Sequence, residues 1–156
     1  MIKLLRVDHR LLHGQVAFSW TSHLSADCIL IANDEVLNDS LRKTTMKLAK
    51  PNGTKLVMKT IKDSIEAINS GVTDKYKLLI VVESIQDAYA LAKGCEQVKS
   101  INLGGTKAKD GTRNLSKAIN VLPEEETLLK ELIQDGYEVE IRMVPDDNKV
   151  LVEKVL

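Results

Sequence analysis

The segment RVDHRLLHGQV, residues 6–16, gathers charged and titratable side chains between an apolar run and the start of a predicted helix. His9 and His13 are two of the three histidines in the chain, and Arg6 and Arg10 stand close to them. A histidine beside arginines can act as the nucleophile of a phosphoryl transfer, because guanidinium groups bind phosphate oxygens and balance their charge. The simpler alternative is that both histidines are ordinary loop residues.

The backbone after His13 is suited to binding an anion. Gly14 and Gln15 follow His13 at the point where we predict a helix over residues 14–24. The first N–H groups of a helix have no partner inside it, so they favour a negatively charged ligand. Glycine has no side chain and therefore lets a ligand approach the backbone closely. We predict that the backbone at Gly14 and Gln15 forms an anion cradle.

Fixed charges complete this predicted site. We expect Arg6 and Arg10 to bind phosphate, since the planar guanidinium group matches its geometry. We expect Asp8 or a backbone carbonyl to hold one ring nitrogen of His13, which leaves the other nitrogen free to attack. The segment contains neither GxGxxG nor a P-loop, so it does not indicate a nucleotide-binding turn.

Strand-like and helix-like segments alternate along the chain, which is typical of βαβ units. We predict strands over residues 1–7, 27–32, 54–58, 76–82, 100–103, 137–144 and 149–156. We predict helices over 14–24, 37–50, 61–69, 84–93 and 123–134, and a loop over 107–117. The expected N-caps are Asp39 or Ser40 for the second helix and Ser84 for the fourth. Such units build a parallel sheet covered on both faces. The prediction is an α/β fold: one domain over 1–156, with an open, doubly wound, mostly parallel sheet of six to seven strands and helices on both faces.

Sheets of this kind bind ligands at the carboxyl ends of their strands, and the histidine-containing segment follows the first predicted strand. Gly104 and Gly105 end a later strand, so they could line the same pocket rim or simply form a tight turn. Asp34 follows the second strand and could lie at the rim or cap the next helix. The sequence leaves these alternatives open.

Composition excludes several classes of function. The chain has 22 basic and 22 acidic residues, with one Trp, three Tyr and one Phe, so it offers neither a basic field nor stacking surfaces for nucleic acid. No apolar run approaches the roughly 18 residues of a membrane-spanning helix. Cys28 and Cys95 form no CxxC motif. We expect a cytoplasmic protein that reaches a membrane only through partners.

The segment RVDHRLLHGQV resembles the active-site segment of the IIB components of the mannose-family sugar phosphotransferase system. The family pattern is close to R-(I or V)-D-x-R-L-(I or L)-H-G-Q-V, and every fixed position matches. The resemblance extends to NDEVLNDSLRK at 33–43, AKP at 49–51 and INLGGTKAKDGT at 101–112. It covers almost the whole chain, which implies a single IIB domain over residues 1–156.

The resemblance implies a relay of phosphoryl groups. His13 matches the family's phosphorylated histidine, and Arg10 matches the arginine that steadies the group. The implied donor is a phosphohistidine on a IIA protein or domain, and the implied acceptor is a sugar held by membrane IIC and IID subunits. The resemblance implies neither a metal nor a cofactor. His9 occupies the variable position of the pattern, and its role is left open.

Two other functions remain alternatives on the sequence alone. One is a histidine-dependent sugar-phosphate mutase or phosphatase, and the other is a non-catalytic module that binds sugar phosphates. A homo-oligomer also stays open, because the sequence contains no coiled-coil pattern that would specify the oligomeric state. The basic segment Lys107–Arg113 is interpreted as a solvated loop, with contact to an acidic partner as the alternative.

Overall fold

Strands and helices alternate along residues 1–156, all of which the computed structural model describes. The strands are β1 (Ile2–Asp8), β2 (Cys28–Ala32), β3 (Lys55–Lys59), β4 (Leu78–Val82), β5 (Ser100–Gly105), β6 (Arg113–Ser116), β7 (Ile119–Val121), β8 (Glu138–Ile141) and β9 (Val150–Leu151). The α-helices are α1 (Gly14–Leu24), α2 (Ser40–Ala49), α3 (Ile61–Asn69), α4 (Ile85–Gly94) and α5 (Pro123–Gln134). Short 3₁₀ turns occupy Val36–Asn38 and Val152–Lys154.

Seven strands form one sheet in the order β3-β2-β4-β1-β5-β8-β9. Every neighbouring pair is parallel except β8 and β9, which are antiparallel. β1 lies inside the sheet between β4 and β5, so the carboxyl end of β1 opens next to two other strand ends. The predicted α/β class and mostly parallel sheet are confirmed.

Helices cover both faces of the sheet, as predicted. Helices α1 and α2 pack on one face over a core of 11 buried residues, which includes Trp20 and Met46. Helices α3, α4 and α5 pack on the other face over a core of 25 buried residues. The helix after β1 therefore lies opposite the helices that follow β4 and β5. This reversal opens a crevice at the carboxyl end of β1.

Three predicted segments differ in the structure. Residues 107–117 were predicted as a loop, but Arg113–Ser116 forms β6 and pairs with β7 in a two-stranded antiparallel ribbon. The sequence of β6, RNLS, is mostly polar and none of its residues is buried, so the segment lacks the apolar pattern that predicts a strand. The predicted strand 149–156 is wrong beyond Val150–Leu151, since the chain turns into a 3₁₀ helix that buries Val152. Strand β8 ends at Ile141, three residues before the predicted end at residue 144.

Helix starts follow local capping chemistry. The side chain of Asp39 accepts a hydrogen bond from the Arg42 N–H and begins α2, which confirms one of the two predicted caps. Ser84 caps α4 in the same way, as predicted, by accepting from the Asp87 N–H. None of the helices combines the length and the apolar composition needed to cross a membrane.

Candidate active site

The turn between β1 and α1 makes His13 the N-cap residue of α1, with φ −148° and ψ 134°. Two residues of this turn adopt left-handed backbone conformations: Leu11 with φ 58° and Gly14 with φ 30°. A leucine rarely adopts such a φ, so packing must hold it there. Leu11 and Leu12 are both 3% exposed and lie in the smaller core. The turn is therefore anchored from below while His13 faces outward.

The first turn of α1 presents free backbone donors next to His13. The Ala17 N–H donates to the His13 carbonyl, which begins the helix. The preceding N–H groups, those of Gly14, Gln15 and Val16, make no hydrogen bond within the chain. Gly14 and Gln15 are exposed, so an anion can reach these groups. The structure thus brings the predicted cradle residues together at the start of a helix, where the helix dipole also favours negative charge.

The carboxylate of Asp8 joins the charged residues of the turn. Its side chain is fully buried, and Oδ2 lies 3.0 Å from Nε2 of His13. Nη2 of Arg6 donates to the same oxygen at 3.2 Å. Oδ1 accepts the backbone N–H of Arg10 at 3.0 Å. Asp8 thus holds the ring of His13, which was one of the two arrangements expected from the sequence.

These contacts determine the charge of Asp8. Burial alone would raise the pKa of Asp8, but the hydrogen bonds from His13 and the Arg10 N–H, with the charge of Arg6, bring the pKa below its ordinary value. Asp8 is therefore an ionised carboxylate, which can only accept hydrogen bonds. Nε2 of His13 must carry the proton, and Nδ1 keeps a lone pair with no partner in the chain.

Arg10 lies partly over Asp8 and is open to solvent. Its side chain is 49% exposed, and its only side-chain contact is from Nε to Oδ1 of Asp8 at 3.5 Å. That distance is at the limit of a hydrogen bond, so most of the guanidinium donors of Arg10 are free. These donors are available to an anion bound near His13.

Arg6 was expected to bind phosphate directly, but the structure buries it to 3% exposure. Its guanidinium donates to Asp8, to Oδ1 of Asn102 at 2.7 Å and to the Arg142 carbonyl at 3.1 Å. It also lies 5.3 Å from the centre of the Trp20 ring. The direct role is wrong for a physical reason: alternation along β1 directs Arg6 under α1. Its charge reaches the site through Asp8.

Gly104 and Gly105 lie beneath the site and are buried at the end of β5. A side chain at Gly104 would overlap the guanidinium of Arg6, so this glycine makes room for the cation. The Gly105 carbonyl accepts the His9 N–H at 3.0 Å. Both glycines thus support the turn from below. A position at the pocket rim is wrong for them because both are buried, and the alternative of a tight turn is wrong because both belong to β5.

Asp34 is exposed and accepts the Ile61 N–H at 2.9 Å, at the start of α3. The sequence left a pocket rim and a cap on the next helix as alternatives. The structure gives a third outcome: Asp34 binds the N-terminus of α3, whereas Asp39 caps the next helix, α2. The carboxyl ends of β2 and β3 are adjacent, which brings Asp34 within reach of α3.

The two histidines of the turn face different surroundings. His9 lines a polar cavity of about 370 Å³ on the side of α4 and α5, and its buried Nδ1 has no partner. The other polar residues of this cavity are Glu83, Ser84, Gln86, Thr106, Lys107, Lys109, Asn120 and Glu125. Within Lys107–Arg113, Arg113 pairs with Glu126 of α5 rather than standing free in solvent. Of the two histidines, only His13 forms a side-chain hydrogen bond with Asp8.

Three residues beneath the site were not identified from the sequence: Trp20, Glu140 and Arg142. Asn102 was noted only as the first residue of the segment NLGG at the end of a predicted strand. Asn102 and Glu140 are buried polar residues on β5 and β8. The available signal was a polar residue at every second position of these predicted strands, facing the same side as Arg6. The strand order needed to connect them was not known from the sequence.

Comparison with known proteins gives a consistent result. The family described as the sorbose subfamily IIB component of the PTS system matches residues 2–156. A probable phosphotransferase enzyme IIB component of Streptococcus pyogenes is 33% identical over 100% of this chain and 99% of that protein. The mannose-specific EIIAB component of Escherichia coli is 29% identical over 96% of this chain, which spans 46% of that longer protein.

A solved structure has the same fold. It is the IIBSor domain of the sorbose permease from Klebsiella pneumoniae, with a TM-score of 0.92 and 27% identity. The match covers 99% of this chain and 94% of that one. The similarity therefore includes the whole sheet and all the segments that surround His13.

The close approach of the Arg6 guanidinium to Gly104 can be tested by adding a methyl group at residue 104. We expect Gly104→Ala to lower the free energy of unfolding by about 1–3 kcal/mol, because the new methyl group displaces the guanidinium. The matched control is Gly105→Ala, whose methyl group would meet its nearest atoms at 3.6 Å, an ordinary contact. We expect the control to change stability by less than about 0.5 kcal/mol. Urea unfolding compares the two, and equal losses would contradict the assignment.

The lowered pKa of Asp8 makes stability depend on pH. Because the pKa is lower in the folded chain than in the unfolded chain, its contribution is complete above about pH 4 and is lost as pH falls through the folded value. We expect Asp8→Asn to cost roughly 3 kcal/mol at pH 7, since Arg6 loses its counter-charge. Urea unfolding of both proteins from about pH 7 to pH 2.5 measures this cost. It should shrink at the acidic end, and a constant cost would refute the prediction.

Proposed function

The chain belongs to the sorbose subfamily of IIB components of the sugar phosphotransferase system, and we propose that it carries the phosphoryl group on Nδ1 of His13. Members of this family are phosphoryl carriers for sugar transport. The observation that carries the proposal is the bond from Nε2 of His13 to the buried carboxylate of Asp8. It leaves the nucleophilic lone pair on Nδ1, next to the free N–H groups of α1.

The first step transfers the phosphoryl group from a phosphohistidine of a IIA partner. The N–P bond of the donor breaks as Nδ1 of His13 forms a new N–P bond. The proton on Nε2 stays on the ring, which gains positive charge, and the negative charge of Asp8 offsets it. The donor is already a high-energy phosphoramidate, so positioning and charge balance are the main requirements of the site.

Three groups are proposed to hold the phosphoryl oxygens. The free guanidinium donors of Arg10 bind two oxygens from the solvent side. The N–H groups of Gly14, Gln15 and Val16 bind from the start of α1. Arg6 contributes charge from beneath without touching the phosphate.

The second step gives the phosphoryl group to a sugar hydroxyl presented by membrane IIC and IID subunits. The Escherichia coli relative is an EIIAB component in one longer protein, which supports a IIA domain as the donor. In this proposal the chain is a protein-histidine–sugar phosphotransferase that works on the cytoplasmic side and meets the membrane through its partners. It needs no resident metal or cofactor for either transfer.

Mapping the phosphorylated residue tests the acceptor. We expect phosphoenolpyruvate, the general phosphotransferase proteins and a IIA partner to label the chain with an acid-labile, base-stable phosphate on His13. His13→Gln should abolish labelling, because an amide nitrogen has no nucleophilic lone pair. Glutamine is chosen because its amide can still donate a hydrogen bond to Asp8. Mass spectrometry at neutral pH locates the phosphate, and nitrogen NMR distinguishes Nδ1 from Nε2.

His9→Gln is the matched control for this experiment. It changes the other histidine of the same turn and should keep labelling, since His9 lines a different cavity. Label that survives in His13→Gln, or that disappears only in His9→Gln, would overturn the assignment.

Arg10 tests the proposed oxygen contacts. We expect Arg10→Lys to slow phosphoryl acceptance roughly 100-fold, because a point charge cannot replace a forked donor. Arg113→Lys is a matched control, since the side chains of Arg10 and Arg113 are 49% and 51% exposed. Quenched-flow labelling with phosphorylated IIA measures both rates. Equal acceptance rates in the two variants would contradict the proposal that Arg10 binds the phosphoryl oxygens.

A further inference from the structure

A buried polar network continues from Asp8 across three strands, and we propose that Asn102 and Glu140 are positioning residues for the phosphoryl acceptor. Asn102 and Glu140 hold Arg6 in place, and Arg6 in turn holds the carboxylate of Asp8. Asp8 then keeps the proton of His13 on Nε2. This inference rests on the proposed function of His13. It assigns a task to two residues that touch neither the phosphate nor the histidine.

The first link joins β1 to β5. Nη1 of Arg6 donates to Oδ1 of Asn102 at 2.7 Å, and Nη2 of Arg6 donates to Asp8 at 3.2 Å. Arg6 and Asn102 are direct partners in the parallel register of these strands. Asn102 is 0% exposed, so no water competes for its amide.

The second link joins β5 to β8. Nδ2 of Asn102 donates to Oε1 of Glu140 at 3.3 Å and to the Arg142 carbonyl at 3.1 Å. Nη2 of Arg142 donates to the same oxygen of Glu140 at 3.1 Å. Glu140 is 5% exposed and is again the direct register partner of Asn102.

The aromatic ring of Trp20 packs against both arginines of the network. The guanidinium carbon of Arg6 lies 5.3 Å from the ring centre, and that of Arg142 lies 5.0 Å from it. The indole N–H of Trp20 donates to the Met143 carbonyl at 3.0 Å. Helix α1 is thereby attached to the end of β8, above the network and next to the turn that carries His13.

The direction of each hydrogen bond follows from the chemistry of its partners. The carboxylate of Glu140 only accepts, so the amide of Asn102 must turn its nitrogen toward Glu140 and its oxygen toward Arg6. Arg6 only donates, so it reinforces Asp8 as an acceptor. Asp8 then requires the proton on Nε2 of His13. Glu140 and Asn102 thus fix the place of the Arg6 guanidinium, and through it the place of the carboxylate that binds Nε2 of His13.

The composition of the network argues for a role beyond stability. One cation, Arg6, and two carboxylates, Asp8 and Glu140, are buried together, which costs desolvation that apolar residues would avoid. Oε2 of Glu140 and Nε of Arg142 are buried atoms with no hydrogen-bond partner within the chain. A scaffold serving stability alone gains nothing from these orphaned atoms, whereas a network that holds one arginine in place can tolerate them.

Exchanging the amide of Asn102 and the carboxylate of Glu140 between the two positions tests the inference. Asn102→Asp places a carboxylate next to Glu140 and removes the amide donor, and Glu140→Gln lets the amide of Asn102 turn over. The double variant Asn102→Asp/Glu140→Gln restores one donor and one acceptor with unchanged total charge. The control is Ile101→Val, which alters the neighbouring residue of β5 on the opposite face.

Two measurements are made on each protein. Nitrogen NMR of the unphosphorylated chain reports whether the two ring nitrogens of His13 keep separate signals, as one tautomer requires. Rapid labelling by phosphorylated IIA reports the acceptance rate. We expect each single variant to bring the two ring signals closer together and to lower the rate about tenfold, through misplacement of Arg6. We expect the double variant to restore the separation of the ring signals and to recover the acceptance rate to within about twofold of wild type, because the effects of coupled residues are not additive.

The outcomes separate the inference from the proposed function. Wild-type protein that accepts no phosphate would refute the proposed function, while the NMR comparison would still judge the network. Single variants that keep wild-type ring signals and rates, or lose only thermal stability as Ile101→Val does, would overturn the network's role. If a single variant fails to fold, the double variant decides: separate ring signals support the inference, and merged signals refute it.

Discussion

The buried carboxylate of Asp8 is the interaction on which the other parts of the site depend. A charge removed from water is tolerated only when several donors surround it, and here they come from Arg6, from the Arg10 backbone and from His13. These donors belong to a strand, a turn and the N-cap of a helix. One carboxylate therefore sets the path of the turn, the orientation of the imidazole and the nitrogen that keeps the lone pair.

The alternation of side chains along β1 explains why the polar groups lie on one face of the sheet. Leu5 and Val7 point into the larger core, whereas Arg6 and Asp8 point toward α1. The face that holds α3, α4 and α5 is then packed mainly with apolar side chains, a core of 25 buried residues. The smaller core beside α1 accommodates charge because it is shared with a polar network, and this asymmetry lets one strand serve both stability and chemistry.

Features that depend on neighbouring residues could be predicted from the sequence. The alternation of strands and helices, the caps at Asp39 and Ser84, and the position of His13 at a helix start are of this kind. The burial of Arg6 could not be predicted, because its partners Asn102 and Arg142 are 96 and 136 residues away. The ribbon of β6 and β7 was missed because a short polar strand has the composition of a loop.

The long sequence separations within the network affect when the site can form. During synthesis, β1 and the histidine turn emerge first, but the partners of Arg6 on β5 and β8 emerge last. Until β8 adds to the sheet, Arg6 lacks the Arg142 carbonyl as an acceptor, and α1 lacks the Met143 carbonyl that receives the Trp20 indole. The proposed phosphoryl-acceptor site is therefore complete only once the last strands of the sheet are in place.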